Sequence, residues 1–261
     1  MRKKTLSFIL TTILTMSLFA GCGKEEKSNV DSTPTVTATT EPTTAPTVVP
    51  EVTKDVEPTT EAEDTFSTEA IEAAGKVDGV TYSNSLVGFS VSAPETWLMY
   101  GTEETYEWFS KTTGIEVDEL KKQVNSQGAS YLSYSSDTQL SENGAAENFL
   151  IQAMNIKAFA GLSIENIIES LTALISNQYK AMGATCEMSD PVKTTMNGQD
   201  IYQVTVKAIF SVSSDDTTTE QNVYQEYIIY EKNNVLIYMA VSTQSENSAS
   251  VKAIMDSLSF Q

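Results

Sequence analysis

The chain has no histidine, one arginine at position 2 and two cysteines among its 261 residues. Without histidine, Ser-His-Asp and Cys-His nucleophilic catalysis are excluded, and so is any metal site built on imidazole. Thirty-five acids stand against sixteen bases, a net charge of −19. Such a chain lacks the cations that neutralise phosphates, which argues against a nucleic-acid partner and against lying flat on an anionic bilayer. The acidity itself reads as solubility and self-repulsion. Gly128, Gly144 and Gly161 stand alone, so no glycine-rich loop offers to cradle a phosphate. No Asp-x-Asp-x-Asp-Gly calcium loop occurs, and Asp215-Asp216 reads as the solvated part of a polar turn. No cofactor is expected.

What is present begins with Arg2-Lys3-Lys4 and an apolar stretch from Leu6 to Phe19. The stretch covers 14 positions, where a membrane-spanning helix needs ~20. A basic start, a short apolar run and small residues describe a secretory signal peptide over 1–21. The closing Leu18-Phe19-Ala20-Gly21-Cys22 resembles the lipobox of bacterial lipoproteins. The resemblance implies that the Cys22 thiol receives a diacylglycerol and that Cys22 becomes the first mature residue. The mature chain would then sit on the extracellular face of the cytoplasmic membrane, held by two acyl chains without a basic patch. Cys186 would be left alone, with no intramolecular disulfide available to it. It reads as a small core residue beginning a strand.

Residues 22–66 form the second zone. Between Thr33 and Thr65 fall twelve threonines and five prolines, with no leucine or isoleucine, and the one aromatic of the zone is the closing Phe66. Ten acids and three lysines give it −7. A segment this poor in apolar surface cannot offset its chain entropy and is expected to be a disordered, extended linker. It would span on the order of 40 Å as a coil and roughly 140 Å fully extended. The composition also suits an O-glycosylated stalk.

Residues 67–261, with ten lysines and twenty-five acids, suffice for one domain with a sizeable core. The pattern predicts a short helix over Thr68–Ala74, then two strands within Gly79–Pro94 around a Ser-Asn-Ser turn. Phe89, Val91 and Ala93 alternate with serines. A strand follows at Trp97–Tyr100, with Trp97 as a core anchor. Helices are predicted over Glu103–Ser110 and, from a capping box at Thr113–Glu116, through Val117, Leu120 and Val124 to Gly128. Strands at Ser130–Ser135 and Asn148–Lys157 come next. The clearest element is a helix over Ile164–Met182, capped by Ser163 and stopped by Gly183, with one apolar stripe that must lie on a sheet. Thr185–Thr194 and Ile201–Val212 flank Asn197-Gly198, a strong hairpin signal. Val204, Val206, Ala208, Phe210 and Val212 share a face. Ser213–Thr219 reads as a polar loop, Val223–Tyr230 and Val235–Val241 as a second hairpin over Asn233-Asn234, and Ser250–Leu258 as a last helix. The fold class is α+β, a mostly antiparallel sheet with helices packed on it.

Several blocks carry a family resemblance: Tyr82-Ser83-Asn84, Gly88-Phe89-Ser90-Val91 and Ala93-Pro94-Glu95-Thr96-Trp97, then Met196 to Tyr202, Tyr227 to Tyr230 and Ile254 to Phe260. They resemble, in order, the PsbP-like α/β/α sandwich domains of small bacterial lipoproteins. Those domains usually have glycine where Thr96 stands. The resemblance implies a non-catalytic binding or scaffolding module for another envelope protein or a wall component.

Aromatic residues supply the candidate ligand surface: Tyr100, Tyr106, Trp108, Tyr131 and Tyr134, beside the acids Glu103, Glu104 and Glu107. The competing reading is that these rings fill the gap between a helix and the sheet. Two rivals to the binding module are compatible with the sequence. One is a glycan-acting enzyme working through paired carboxylates alone. The other is an accessory solute-binding lipoprotein, for which one domain is small.

Overall fold

The structure, a computed structural model, describes residues 66–138, 146–159, 161–214 and 217–261. The signal peptide, the lipobox residues Leu18, Phe19, Ala20 and Gly21, the anchor Cys22, the linker up to residue 65 and Asp215-Asp216 lie outside the described residues.

Twelve strands and five α-helices are described. In chain order they are α1 (Thr68–Ala73), β1 (Gly75–Asp78), β2 (Thr81–Asn84), β3 (Phe89–Ser92), β4 (Trp97–Tyr100), α2 (Thr102–Thr113), α3 (Val117–Asn125), β5 (Ala129–Asp137) and β6 (Asn148–Asn155). Then come α4 (Ile164–Ala181), β7 (Thr185–Met188), β8 (Val192–Met196), β9 (Gln199–Ser214), β10 (Thr217–Lys232), β11 (Val235–Thr243), α5 (Ala249–Ser257) and β12 (Ser259–Phe260). The large sheet runs β4-β5-β6-β11-β10-β9-β7, with β8 also paired to β9, and every pairing is antiparallel. A four-stranded sheet, β1-β2-β3-β12, stands apart from it. The α+β class and its mostly antiparallel sheet are thus present as expected.

Strand alternation gives the large sheet two buried faces. On the first, Val204, Val206 and Ala208 of β9, Tyr227 and Ile229 of β10 and Leu236 and Tyr238 of β11 pack under Ile167, Ile168, Ile175 and Tyr179 of α4. The same face continues beneath α2 and α3, where Tyr106, Phe109, Leu120 and Val124 meet Tyr131, Tyr134 and Leu150. On the second face, Ile151, Ile228, Ile237 and Val241 are covered by Tyr82, Phe89 and Val91 of the small sheet and by Ile254 of α5. Trp97 is 4% exposed in that cluster, the core anchor its sequence position suggested.

The stripe on α4 buries as predicted, and Ser163 caps it by accepting from the Asn166 N–H. Asn197 and Gly198 (φ 50° and 83°) and the pair Asn233 and Asn234 (φ 54° and 61°) take the left-handed conformations that a two-residue hairpin turn requires. Gly88 is needed for space as well as for its φ of 69°, because a Cβ there would lie 2.9 Å from the Gln261 carbonyl oxygen. The Gln261 N–H donates to the Gly88 carbonyl at 2.9 Å and ties the end of the domain to that turn.

Five local expectations differ from the structure. β1 is absent from the predicted strands because Gly75–Asp78 has one apolar residue, Val77. The β2–β3 turn lies at 85–88 rather than at Ser83-Asn84-Ser85. Asn84 ends β2 and its Oδ1 accepts from the Leu86 and Val87 N–H groups, so its side chain builds the turn. The capping box is absent: Thr113 closes α2, its hydroxyl donating back to the Phe109 carbonyl, and Gly114 takes φ 75°. Thr185–Thr194 is broken into β7 and β8, since Pro191 has no N–H to give a ladder. The polar loop over 213–219 is also overturned, because β9 runs to Ser214 and β10 starts at Thr217. Serine and threonine in an antiparallel pair look like loop residues by composition alone.

Candidate functional site

The five aromatic candidates are neighbours, but most of their surface is spent on one another. Tyr106 and Tyr131 are fully buried and Tyr134 is 3% exposed. The Phe109 ring lies 4.7 Å from Tyr131, and Trp108 stacks on Tyr134 at 4.2 Å. Tyr100 and Trp108 are half-buried at the margin of this packing. The rings fill the space between α2 and the sheet. Burial pushes the Tyr106 hydroxyl up to about 12, and the Tyr131 N–H donates to it at 3.2 Å. The acids beside them face outward: Glu103 pairs with Lys121 at 2.6 Å and Glu107 with Lys111 at 3.5 Å.

Two clefts instead flank the break between β7 and β8, one on each face of the sheet edge. Met188 and Ser189 line both. The ladder continues across the break through Ser189, whose N–H donates to the Thr205 carbonyl at 3.0 Å. Its hydroxyl accepts the Thr205 N–H at 3.0 Å.

The cleft on the α4 side encloses about 580 Å³. Two of its charged groups, Glu165 and Lys193, are tied to neighbours. The Tyr202 hydroxyl donates to Glu165 at 2.5 Å, Lys193 meets Asp200 at 2.9 Å, and the Lys193 ammonium stands 5.6 Å over the Tyr202 ring. The Tyr202 hydrogen bond, helped by backbone N–H donation at the start of α4, holds the Glu165 carboxyl below its usual range.

The groove on the α5 side encloses about 610 Å³. It exists because the small sheet and α5 cover only part of the second face. Past them, the residues of β9 and β10 that alternate with the core are open: Thr205 and Lys207 on one strand, Tyr224 and Glu226 on the other. Lys252 of α5 and the loop at Asn247 form its wall. That wall is fixed by Glu147, whose carboxylate accepts from the Ser248 hydroxyl at 3.0 Å and the Ser250 hydroxyl at 2.5 Å at the start of α5. On the opposite side of the β10 floor, Gln225 accepts from the Tyr179 hydroxyl at 2.5 Å and from the Tyr227 hydroxyl. It donates to Ser242 at 2.7 Å.

The groove charges are not paired with each other. Lys252 is tied to Asp256 on its own helix. Glu226 is half-buried, receives one hydrogen bond from the Gln203 amide at 3.2 Å, and is pushed above the ordinary carboxylate value by burial. Lys207 lies in register between Glu187 and Tyr224. Among the described residues no ion pair joins Lys207 or Glu226 to another side chain, and no cluster of three metal-ligating side chains occurs. Cys186 is half-buried against the α4 cluster, where burial pushes its thiol up. The sequence signal for the groove was Glu226, an acid inside the otherwise uncharged run Val223–Tyr230.

No protein-family model matches the chain, and no curated protein matches it. Solved structures do overlap with it. PsbP of the cyanobacterium Synechocystis sp. PCC 6803 has 14% identity and a TM-score of 0.42, over 72% of this chain and 99% of that one. A protein of Bacteroides thetaiotaomicron has 11% identity and a TM-score of 0.35, over 71% of this chain and 49% of that one. LpqN, involved in cell envelope biogenesis of Mycobacterium tuberculosis, has 9% identity and a TM-score of 0.34, over 65% of this chain and 76% of that one.

Proposed function

We propose that this chain is a lipid-anchored envelope lipoprotein whose domain is a non-catalytic binding module, with the groove beside α5 as its binding site. The observation that carries the reading is that, among the described residues, Lys207 and Glu226 form no ion pair in a groove of about 610 Å³, within the ~300–1,000 Å³ of small-ligand sites. The one cation lining the other cleft, Lys193, is paired with Asp200, whereas this groove leaves a cation and an acid without an ion pair among the described residues. The Leu18–Cys22 motif and the acidic Thr/Pro segment support tethering outside the cytoplasmic membrane. The partner class is another envelope protein or a wall component.

Glycan chemistry by paired acids has one observation in its favour, because Glu187 and Glu226 line the same groove with β9 between them. Two strand spacings put roughly 10 Å between their strands.

The anchor is tested with Cys22→Ala. The wild-type chain should fractionate with membranes and take up labelled palmitate, and the variant should do neither. Equal membrane recovery of both without label would overturn the tether.

A further inference from the structure

We infer that the groove beside α5 takes a short peptide with a free amino group, its ammonium held by Glu226 and its carboxylate by Lys207. The inference rests on the binding-module reading and names the guest.

Three features support the choice of guest. Glu226 is a half-buried carboxyl with only a neutral amide donating to it. An ionised carboxylate there lacks part of its hydration, and an incoming ammonium would replace it with a charge-assisted hydrogen bond. Second, Lys207 sits on the neighbouring strand, opposite Tyr224, while Glu226 is opposite Thr205. The two residues are therefore diagonal neighbours, their backbone positions about 7–8 Å apart along the floor. They make no bridge of their own, and a peptide, with opposite charges at its two ends, can meet both. Third, between them lie groups suited to peptide units: the Thr205 hydroxyl can donate or accept, and the Tyr224 ring offers a flat apolar surface. Glu187 and Glu246 add negative charge to the lining, which favours a guest with an extra amine over one with an extra acid.

An uncharged sugar would satisfy hydroxyl and amide groups but would leave Glu226 and Lys207 without counter-charges. A phosphorylated guest would meet Glu226 with like charge. The chemistry therefore selects an amine-bearing peptide over either.

The test titrates the full chain with three probes of similar size, read by calorimetry and by amide shifts at Tyr224 and Glu226. The probes are Ala-Ala-Ala with free ends, its N-acetylated form and maltotriose. The free tripeptide should bind, and N-acetylation should weaken it tenfold or more. In Glu226→Gln the two peptides should bind alike, and in Lys207→Met both should weaken. Thermal melting no lower than wild type in both variants separates this from misfolding. Maltotriose binding in the groove without the tripeptide would overturn the peptide guest while leaving a binding module. Tripeptide binding that ignores Glu226, or no groove shift with any probe, would overturn the inference. Intact tripeptide binding with no membrane tether would count against the envelope assignment alone.

Discussion

Ser189 engages Thr205 twice, donating its backbone N–H to the Thr205 carbonyl at 3.0 Å and accepting the Thr205 N–H on its hydroxyl at 3.0 Å. A side chain thus takes the place of a ladder carbonyl where Pro191 breaks the edge strand. The consequence is geometric. With the break held open, Met188 and Ser189 form a septum between two clefts, one on each face of the sheet.

Removing that hydroxyl strips the Thr205 N–H of its acceptor. Ser189→Ala should cost about 1 kcal/mol in urea unfolding. It should also speed hydrogen exchange at Thr205 more than at β11 amides, while Ser189→Thr should largely restore protection. Equal exchange at Thr205 in wild type and Ser189→Ala would show that the hydroxyl does not hold the break.

Gln225 joins three partners from α4, β10 and β11: Tyr179, Tyr227 and Ser242. Its truncation leaves several buried polar groups without partners. Gln225→Ala should lower stability by at least about 2 kcal/mol, more than Tyr179→Phe, which removes one bond at about 1 kcal/mol. Equal losses in the two variants would mean that the three bonds are not a network.

Burial raises the Glu226 carboxyl above its ordinary value of 4.5. The folded chain therefore holds that proton more tightly than the unfolded chain. The contribution favours folding at low pH and is lost as pH rises from 4.5 through the raised folded value. Glu226→Gln keeps the Gln203 contact without the charge. Its melting temperature should match wild type in acid and exceed it increasingly toward neutral pH. Glu72 is raised by burial in the same direction, but it is common to both proteins and cancels in the difference. A difference that stays flat across this range would contradict the account of Glu226.

Trp108 stacks on Tyr134 at 4.2 Å and packs against the cluster between α2 and β5. Trp108→Ala should cost about 2 kcal/mol in stability. Tripeptide affinity in the groove should not change. A loss of affinity without a loss of stability would return the binding surface to residues 100–134.

The fold was legible where periodicity and turn chemistry agree. The α4 stripe, Asn197-Gly198 and the Phe89-Val91-Ala93 alternation each state a local rule that tertiary packing obeys. The expectations that failed lie where a side chain substitutes for backbone. Asn84 builds a turn from within a strand, Ser189 bridges a broken edge, and Ser213-Ser214 extend a ladder that composition assigns to a loop. The groove was legible only in part. Polar Thr205 and Lys207 alternate with buried valines, but such alternation describes any solvated strand face. That α5 stops short and leaves this stretch open follows from contacts far apart in sequence, such as Glu147 with Ser248 and Ser250. The aromatic group was ambiguous in sequence for a related reason: rings close together near acids read equally as a binding surface or as packing until α2 is laid on β5.

The central claim is that the molecule meets its partner at the groove and not at the aromatic cluster. The most direct measurement places a photo-crosslinking amino acid at position 224 or at position 108 of the full chain in intact cells. The account predicts a discrete adduct from position 224, lost on competition with Ala-Ala-Ala, and none from position 108. An adduct from position 108 with none from position 224 would contradict it.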